Sequence, residues 1–285
     1  MIASMTGFGR AEQTLETRKI SVEIRCLNSK NLDLNARIHS FFRELEPEIR
    51  KTIGNQLSRG KIDLSIYLEL VNGQSPTSIN TEVVQNYIQQ LQEIETVSPA
   101  DALQMAIRLP DALKTEKETI DEATADVVKQ LIQKALTDVD QHRKEEGLSL
   151  QKDLMEQVES IRKQLQTIAQ LAPERMQNIR ERIQKNLEEL QTEHDANRFE
   201  QELIFYTEKL DINEELVRLE NHLNYFSEIA EAPNSSGKKL GFIAQEIGRE
   251  INTIGSKAQY APMQKVVVLQ KDALEKIKEQ LLNVL

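Results

Sequence analysis

The apolar residues of this chain keep one period up to about residue 70 and another beyond it, and that change constrains the fold more than any other feature. From Lys19 to Cys26, the residues Ile20, Val22, Ile24 and Cys26 alternate with Lys19, Ser21, Glu23 and Arg25, the period of two of a half-buried strand. Leu32 to Ile38 repeats it with Leu34 and Ala36 inward, and Lys61 to Leu70 does so with Ile62, Leu64, Ile66 and Leu68. The run from Asn28 to Asn31 supplies a turn between the first two strands. Between the second and third, Leu45, Ile49, Ile53 and Leu57 recur every fourth residue, with Pro47 near the start and Gly60 just past the end. That is the pattern of a helix. Residues 1–72 therefore read as a small α+β domain, with Cys26 as a small core residue.

The run Asn72 to Ser78 has linker composition, and no further strand is expected after it until the C-terminus. Leu150, Leu154, Val158, Ile161, Leu165 and Ile168 follow helical spacing; Pro173 then predicts a break, and Ile179, Ile183, Leu187 and Leu190 resume the stripe. The expectation is an antiparallel hairpin of two long helices within a helical middle region, 73–205, followed by a C-terminal helical domain, 206–285. The whole is of α+β class, a small sheet-plus-helix domain leading into a long, mostly α-helical region.

Composition narrows the function. A single cysteine excludes a disulfide framework and any multi-cysteine zinc site, and no basic segment leads into an apolar run at the N-terminus, so a cytoplasmic, non-membrane protein is expected. Aromatics make up 4% of the residues, without tryptophan, which argues against nucleic acid held mainly by stacking. The net charge of −10 is unevenly spread: residues 1–72 carry +2 and 237–285 carry +3, while 73–147 carry −7 and 148–236 carry −8. Only the two ends offer a polyanion a mildly basic surface.

Asp211, followed three residues later by Glu214, resembles a capping box opening a helix whose stripe is Ile212, Leu216, Leu219, Leu223 and Phe226. At 100° per residue, Asp211, Glu215, Arg218 and His222 border that stripe. After a loop from Ala232 to Gly237, a second helix carries Leu240, Ile243, Ile247, Ile251 and Ile254, bordered at a similar offset by Glu246, Glu250, Thr253 and Lys257. Gly255 predicts an early end to this helix. If the stripes pack, the polar sets converge as the oxygen-rich ligand group that Mg²⁺ or Mn²⁺ prefers. Arg and Lys beside it suit phosphoryl chemistry. The same spacing fits surface ion pairs, worth about 0 to 1 kcal/mol each, and spacing alone leaves both open. His39, His142 and His194 read as solvated.

Five motifs go further: SMTGFGR at 4–10, EIRCLNSKNLD at 23–33, RGKI at 59–62, DINEELVRLENH at 211–222 and GKKLGFIAQEIGREINTIGSK at 237–257. Together they resemble the YicC family of bacterial proteins. The resemblance implies a cytoplasmic, divalent-metal-dependent endoribonuclease that works as a ring-like homo-oligomer, a hexamer, with RNA, further copies of the chain and other RNA-decay enzymes as partners. The matching polar positions are Asp211, Glu215, Arg218, His222, Glu246, Arg249, Glu250, Asn252 and Lys257. On this reading Asp211, Glu215, Glu246 and Glu250 hold Mn²⁺ or Mg²⁺, and His222, Glu246, Glu250 and Lys257 are catalytic, with His222 moving the proton. Arg25, Arg37, Arg59, Lys61, Lys238, Lys239 and Arg249 bind the RNA backbone. Gly241 stands where many members carry an acidic residue, and Cys26-Leu27 replaces a common small-polar pair. A non-catalytic RNA scaffold that presents RNA to another nuclease is the alternative, and a structural helical hub a third.

Overall fold

The structure is a computed structural model of the 285-residue chain. It describes all residues except 1, 30, 58, 72–76, 116–119, 190–195 and 234. Most of the expected linker after Asn72, as well as Leu190 and His194, lies outside the described residues, as does the side chain of Leu187. The chain forms two compact units, Phe8–Val139 and Met1–Gly7 with Asp140–Leu285.

In the first unit, β1 (Gly7–Thr14), β2 (Arg18–Leu27), β3 (Leu32–Ile38) and, after a 3-10 turn at Ser40–Leu45 and helix α1 (Glu46–Gln56), β4 (Gly60–Leu70) make one sheet in the order β1-β2-β4-β3. β2 runs antiparallel to β4, with Arg25 opposite Asp63, and β3 runs parallel to β4, with Arg37 opposite Ser65. The inward rows foreseen from the alternation, Ile20, Val22, Ile24 and Cys26 with Ile62, Leu64 and Ile66, are almost wholly buried against Ile49 and Ile53 of α1. Gly60 has φ of +115°, where a side chain would strain the backbone. His39 is not merely solvated: its Nδ1 accepts from the Phe41 N–H and caps the 3-10 turn.

β1 escapes the alternation rule because its inward positions are Gly7, Gly9 and Ala11. A Cβ on Gly9 would stand 2.0 Å from the Ala135 carbonyl oxygen, so only glycine lets β1 lie this close to the neighbouring helix. The expectation of no further strand is also corrected. β5 (Thr77–Ile79) pairs with β6 (Leu113–Thr115) around α2 (Thr81–Ile94) and α3 (Pro99–Ala106). Three-residue strands are too short for periodicity to register.

Helix α4 (Glu122–Glu189) contributes Val128, Leu131, Ile132 and Ala135 to the first unit's core and continues into the second unit. It corrects the expected hairpin, since Pro173 lies inside the helix. A mid-helix proline costs about 3 kcal/mol. Tertiary contacts carry the chain past it: Ile168 and Ile179 are buried on either side, the Tyr260 hydroxyl donates to Glu174 at 2.8 Å, and Arg175 is buried two residues on.

The second unit adds α5 (Ala196–Lys209), α6 (Asn213–Glu231), α7 (Gly237–Ala258) and α8 (Ala261–Leu281). Its core joins Leu154, Val158 and Ile161 of α4 to the predicted stripes of α6 and α7 and to Met263, Leu274 and Ile277 of α8. α7 does not stop at Gly255; it runs to Ala258, and a Cβ on Gly255 would meet Val267 of α8 at 3.0 Å, so the glycine serves close packing. The leading residues belong here as well: Ile2 is buried in this core, Ser4 bridges Val284, and the Leu285 N–H donates to the Ala3 carbonyl at 2.9 Å. Among the described residues no helix is long and apolar enough to cross a membrane.

Candidate active site on the α6–α7 pair

α6 and α7 are joined by the short 232–236 loop and pack along their apolar stripes, with Leu219, Leu223, Phe226, Ile247, Ile251 and Ile254 fully buried. The polar borders meet at the end away from the loop. Lys257 Nζ donates to Glu215 Oε1 at 2.7 Å and to the Asp211 carbonyl at 2.9 Å. Glu215 is 7% exposed, and its second oxygen, Oε2, is buried without a hydrogen-bond partner.

This contact fixes the antiparallel register. Seven residues along from Glu215 is His222, and seven back from Lys257 is Glu250, so these two lie at the same level, about 10 Å from the ion pair at 1.5 Å per residue. Glu250 is 8% exposed, His222 is half-buried, and neither has a hydrogen bond or ion pair among the described residues. Glu246, one turn nearer the loop, pairs with Arg249 on its own helix at 2.7 Å.

The start of α6 differs from the expected capping box. The helix opens at Asn213, Asp211 Oδ1 accepts from the Asn213 N–H at 3.2 Å, and Glu214 pairs with Arg218 rather than reaching back. The four expected metal ligands are therefore spread along the pair, with Asp211 and Glu215 at one end and Glu250 and then Glu246 toward the other. Among the described residues no group of three or more His, Cys, Asp or Glu is arranged to hold a metal ion. The donor chemistry still suits a hard divalent cation: among the described residues Glu215 Oε2 is a buried anionic oxygen without a donor, and Glu250, a largely buried residue, has a carboxylate without a partner.

One residue of this region was absent from the sequence reading. Arg175 of α4 is 2% exposed, and its Nη2 donates to the Leu210 carbonyl, next to the Asp211 carbonyl that Lys257 holds. Burial pushes the guanidinium below its ordinary pKa, while the Asp211 charge opposes that shift. Nearby, Glu174 holds the Tyr260 hydroxyl above the usual phenol range, by hydrogen bonding and by repelling the phenolate. The signal for Arg175 was present: Ile168, Ala172, Arg175 and Ile179 step by four, three and four, which places the arginine in the apolar stripe.

The expected RNA contacts fall on both units. On the outer face of the sheet, Arg25 stacks over Phe8 at 5.5 Å and lies 3.5 Å from Glu23. With Arg37, Asn35, Asp63 and Tyr67 it lines a hollow of about 220 Å³. Arg59 and Lys61 lie at the start of β4. On α7, Lys238 and Lys239 are exposed in the first turn, Lys239 lies 5.2 Å from the Tyr225 ring, and Arg249 is exposed beside Glu246.

Residues 2–152 match the family described as endoribonuclease YicC-like, N-terminal region, and residues 168–285 match endoribonuclease YicC-like, C-terminal. This chain belongs to the YicC-like family. A protein of Clostridioides difficile named probable endoribonuclease YicC is 31% identical over 294 aligned residues, covering all of both chains. One of the same name from Haemophilus influenzae is 30% identical over 286, covering 99% of each. The YicC-like C-terminal region contains α6, α7 and Arg175, so the whole candidate site lies inside one family match.

Proposed function

We propose that this chain is an endoribonuclease that hydrolyses phosphodiester bonds in RNA with the help of Mn²⁺ or Mg²⁺. The reading is carried by likeness to proteins named probable endoribonuclease over the full length of the chain. The carboxylates, imidazole and lysine that border the packed faces of the α6–α7 pair, with Lys257 bonded to Glu215, support it. Glu250 would hold the cation, with Glu246 one turn along α7 joining once released from Arg249, and Glu215 with Asp211 would hold a second at the other end of the pair. Bound there, the cation would lower the pKa of water and neutralise phosphate charge. His222, level with Glu250, moves the proton, since an imidazole can both accept and donate one. Lys257 holds Glu215 in place and adds positive charge beside the phosphate. Arg25, Arg37, Arg59, Lys61, Lys238, Lys239 and Arg249 bind the RNA backbone in a salt-dependent way. The working form is a homo-oligomer, a hexamer, in the cytoplasm, with other RNA-decay enzymes as partners.

The scaffold reading draws on the lack of an assembled three-ligand group among the described residues. One experiment separates the two. Purified protein is incubated with a structured RNA in Mn²⁺ or in EDTA. Discrete fragments with metal alone support the nuclease; retention of intact RNA in both supports the scaffold.

A further inference from the structure

The hollow of about 220 Å³ on the outer face of the sheet has a floor that backbone binding by its arginines leaves unexplained. It is smaller than the roughly 300–1,000 Å³ of small-molecule sites and suits one flat ring system. Arg25 and Arg37 stand exposed at its rim, and Arg37 has no partner among the described residues. The floor is β4, whose outward residues Asp63 and Ser65 are half-buried. Asp63 lies between Arg25 of β2 and Asn35 of β3 in the register, and Asn35 Nδ2 donates to its Oδ1 at 2.9 Å. Among the described residues, Asp63 has no ion pair with either arginine, and the Ser65 hydroxyl has no partner.

A carboxylate in the middle of an RNA-binding surface needs a reason, because it repels the phosphates that the rim arginines attract. Ionised, it can only accept hydrogen bonds. What it can take from RNA is therefore the N–H edge of a base, and an unpaired base is the one that presents that edge. Asn35 occupies one site on Oδ1 and leaves Oδ2 and the second Oδ1 lone pair open. Two residues along the strand, about 7 Å away, Ser65 adds a hydroxyl that can donate. The floor thus offers two acceptors and then a donor. Guanine carries the complement in one row, N2–H and N1–H followed by the O6 acceptor. Adenine and cytosine bring one amino group to that edge, and uracil one N–H between two carbonyls, so none of them satisfies both carboxylate oxygens and the hydroxyl. Tyr67, the next outward residue of β4, is 48% exposed at the side of the hollow and gives the base an aromatic wall.

We infer that this hollow reads one unpaired guanine of the RNA, with Asp63 accepting from its N1–H and N2–H and Ser65 donating to its O6. Arg25 and Arg37 keep the flanking phosphates. The inference takes RNA from the nuclease reading but does not depend on cleavage.

The test uses the full chain in EDTA, with short 2′-O-methyl oligouridylates as uncleavable probes, each carrying a central guanine, inosine, adenine, cytosine or uracil. The guanine probe should bind about tenfold tighter than the adenine, cytosine and uracil probes. Inosine, which lacks the N2 amine, should fall between. Asp63→Asn keeps the size of the side chain and the bond from Asn35. It should erase the guanine preference while the uracil probe binds as well as before or better, one negative charge having gone. A purely electrostatic role for Asp63 would shift every probe by the same factor. Ser65→Ala should lose several-fold on the guanine and inosine probes alone. Equal wild-type affinity for all probes overturns the inference, as does a guanine preference that survives in Asp63→Asn. Should that variant not fold, an undiminished preference in Ser65→Ala overturns it instead. The nuclease reading fails separately. If the wild type leaves ordinary RNA intact in Mn²⁺ yet prefers the guanine probe, the nuclease falls and the guanine site stands. If it cleaves ordinary RNA and binds every probe alike, the guanine site alone falls.

Discussion

The outer face of the sheet and the turn ahead of α6 use the same residue types, yet they hold their charges in opposite ways. On the sheet, Arg10 lies 3.0 Å from Glu12 and 3.7 Å from Glu23, Arg25 lies 3.5 Å from Glu23, and the two arginine side chains are 53% and 65% exposed. At the turn, the Glu215 side chain is 9% exposed, Lys257 30%, and Arg175 is buried with two donors unmet. Water already solvates the sheet charges, so pairing them adds little. The buried charges have given up that solvation and regain it only from one another or from a ligand. Burial, not charge count, separates a surface from a site.

The largest expected effect breaks the buried side of this contrast. Lys257→Met strands the Glu215 carboxylate and should cost about 3 kcal/mol in urea denaturation, whereas Arg218→Met, on an exposed pair, should cost less than about 0.5 kcal/mol. Equal losses would erase the contrast. Next come two carboxylates one turn apart on α7. Glu250→Gln should slow RNA cleavage on the order of a hundredfold, and Glu246→Gln, already paired with Arg249, by much less. Cleavage at wild-type rate in both would remove α7 from the chemistry. On the sheet, replacing Arg25 and Arg37 with alanine should lower the salt slope of RNA binding by about one to two and leave the rate at saturating RNA unchanged. The smallest effect is Arg10→Ala, which should move the unfolding free energy by less than about 0.5 kcal/mol.

The parts of the molecule legible in the sequence are those where one face is apolar and the other polar. β2, β3, β4, α1 and the stripes of α6 and α7 all meet that condition, and the stripes had to pack for Lys257 to find Glu215. β1 failed it because glycine fills its buried face, and Arg175 because a charged residue took a core position. The Pro173 break was misjudged for a different reason. A local rule sets the cost of a proline, but buried neighbours on both sides decide whether the helix continues. Which of the converging carboxylates stay unpaired depended on side-chain partners such as Arg249 and Asn213, and no periodicity carries that information.

The placement of residues 2–7 has a consequence for how the chain is made. Ile2 lies in the core of the unit formed with Asp140–Leu285, the Met5 N–H donates to the Asn283 carbonyl at 2.8 Å, and Gly147 leaves no room for a side chain beside the Ile2 carbonyl. On the ribosome residues 2–7 emerge long before their partners, at about 5 to 20 residues per second. The unit formed by Phe8–Val139 is complete before that wait ends. Residues 2–7 are thus among the last to find their place, and anything that captures them in the meantime delays the other unit, the one that carries the α6–α7 pair.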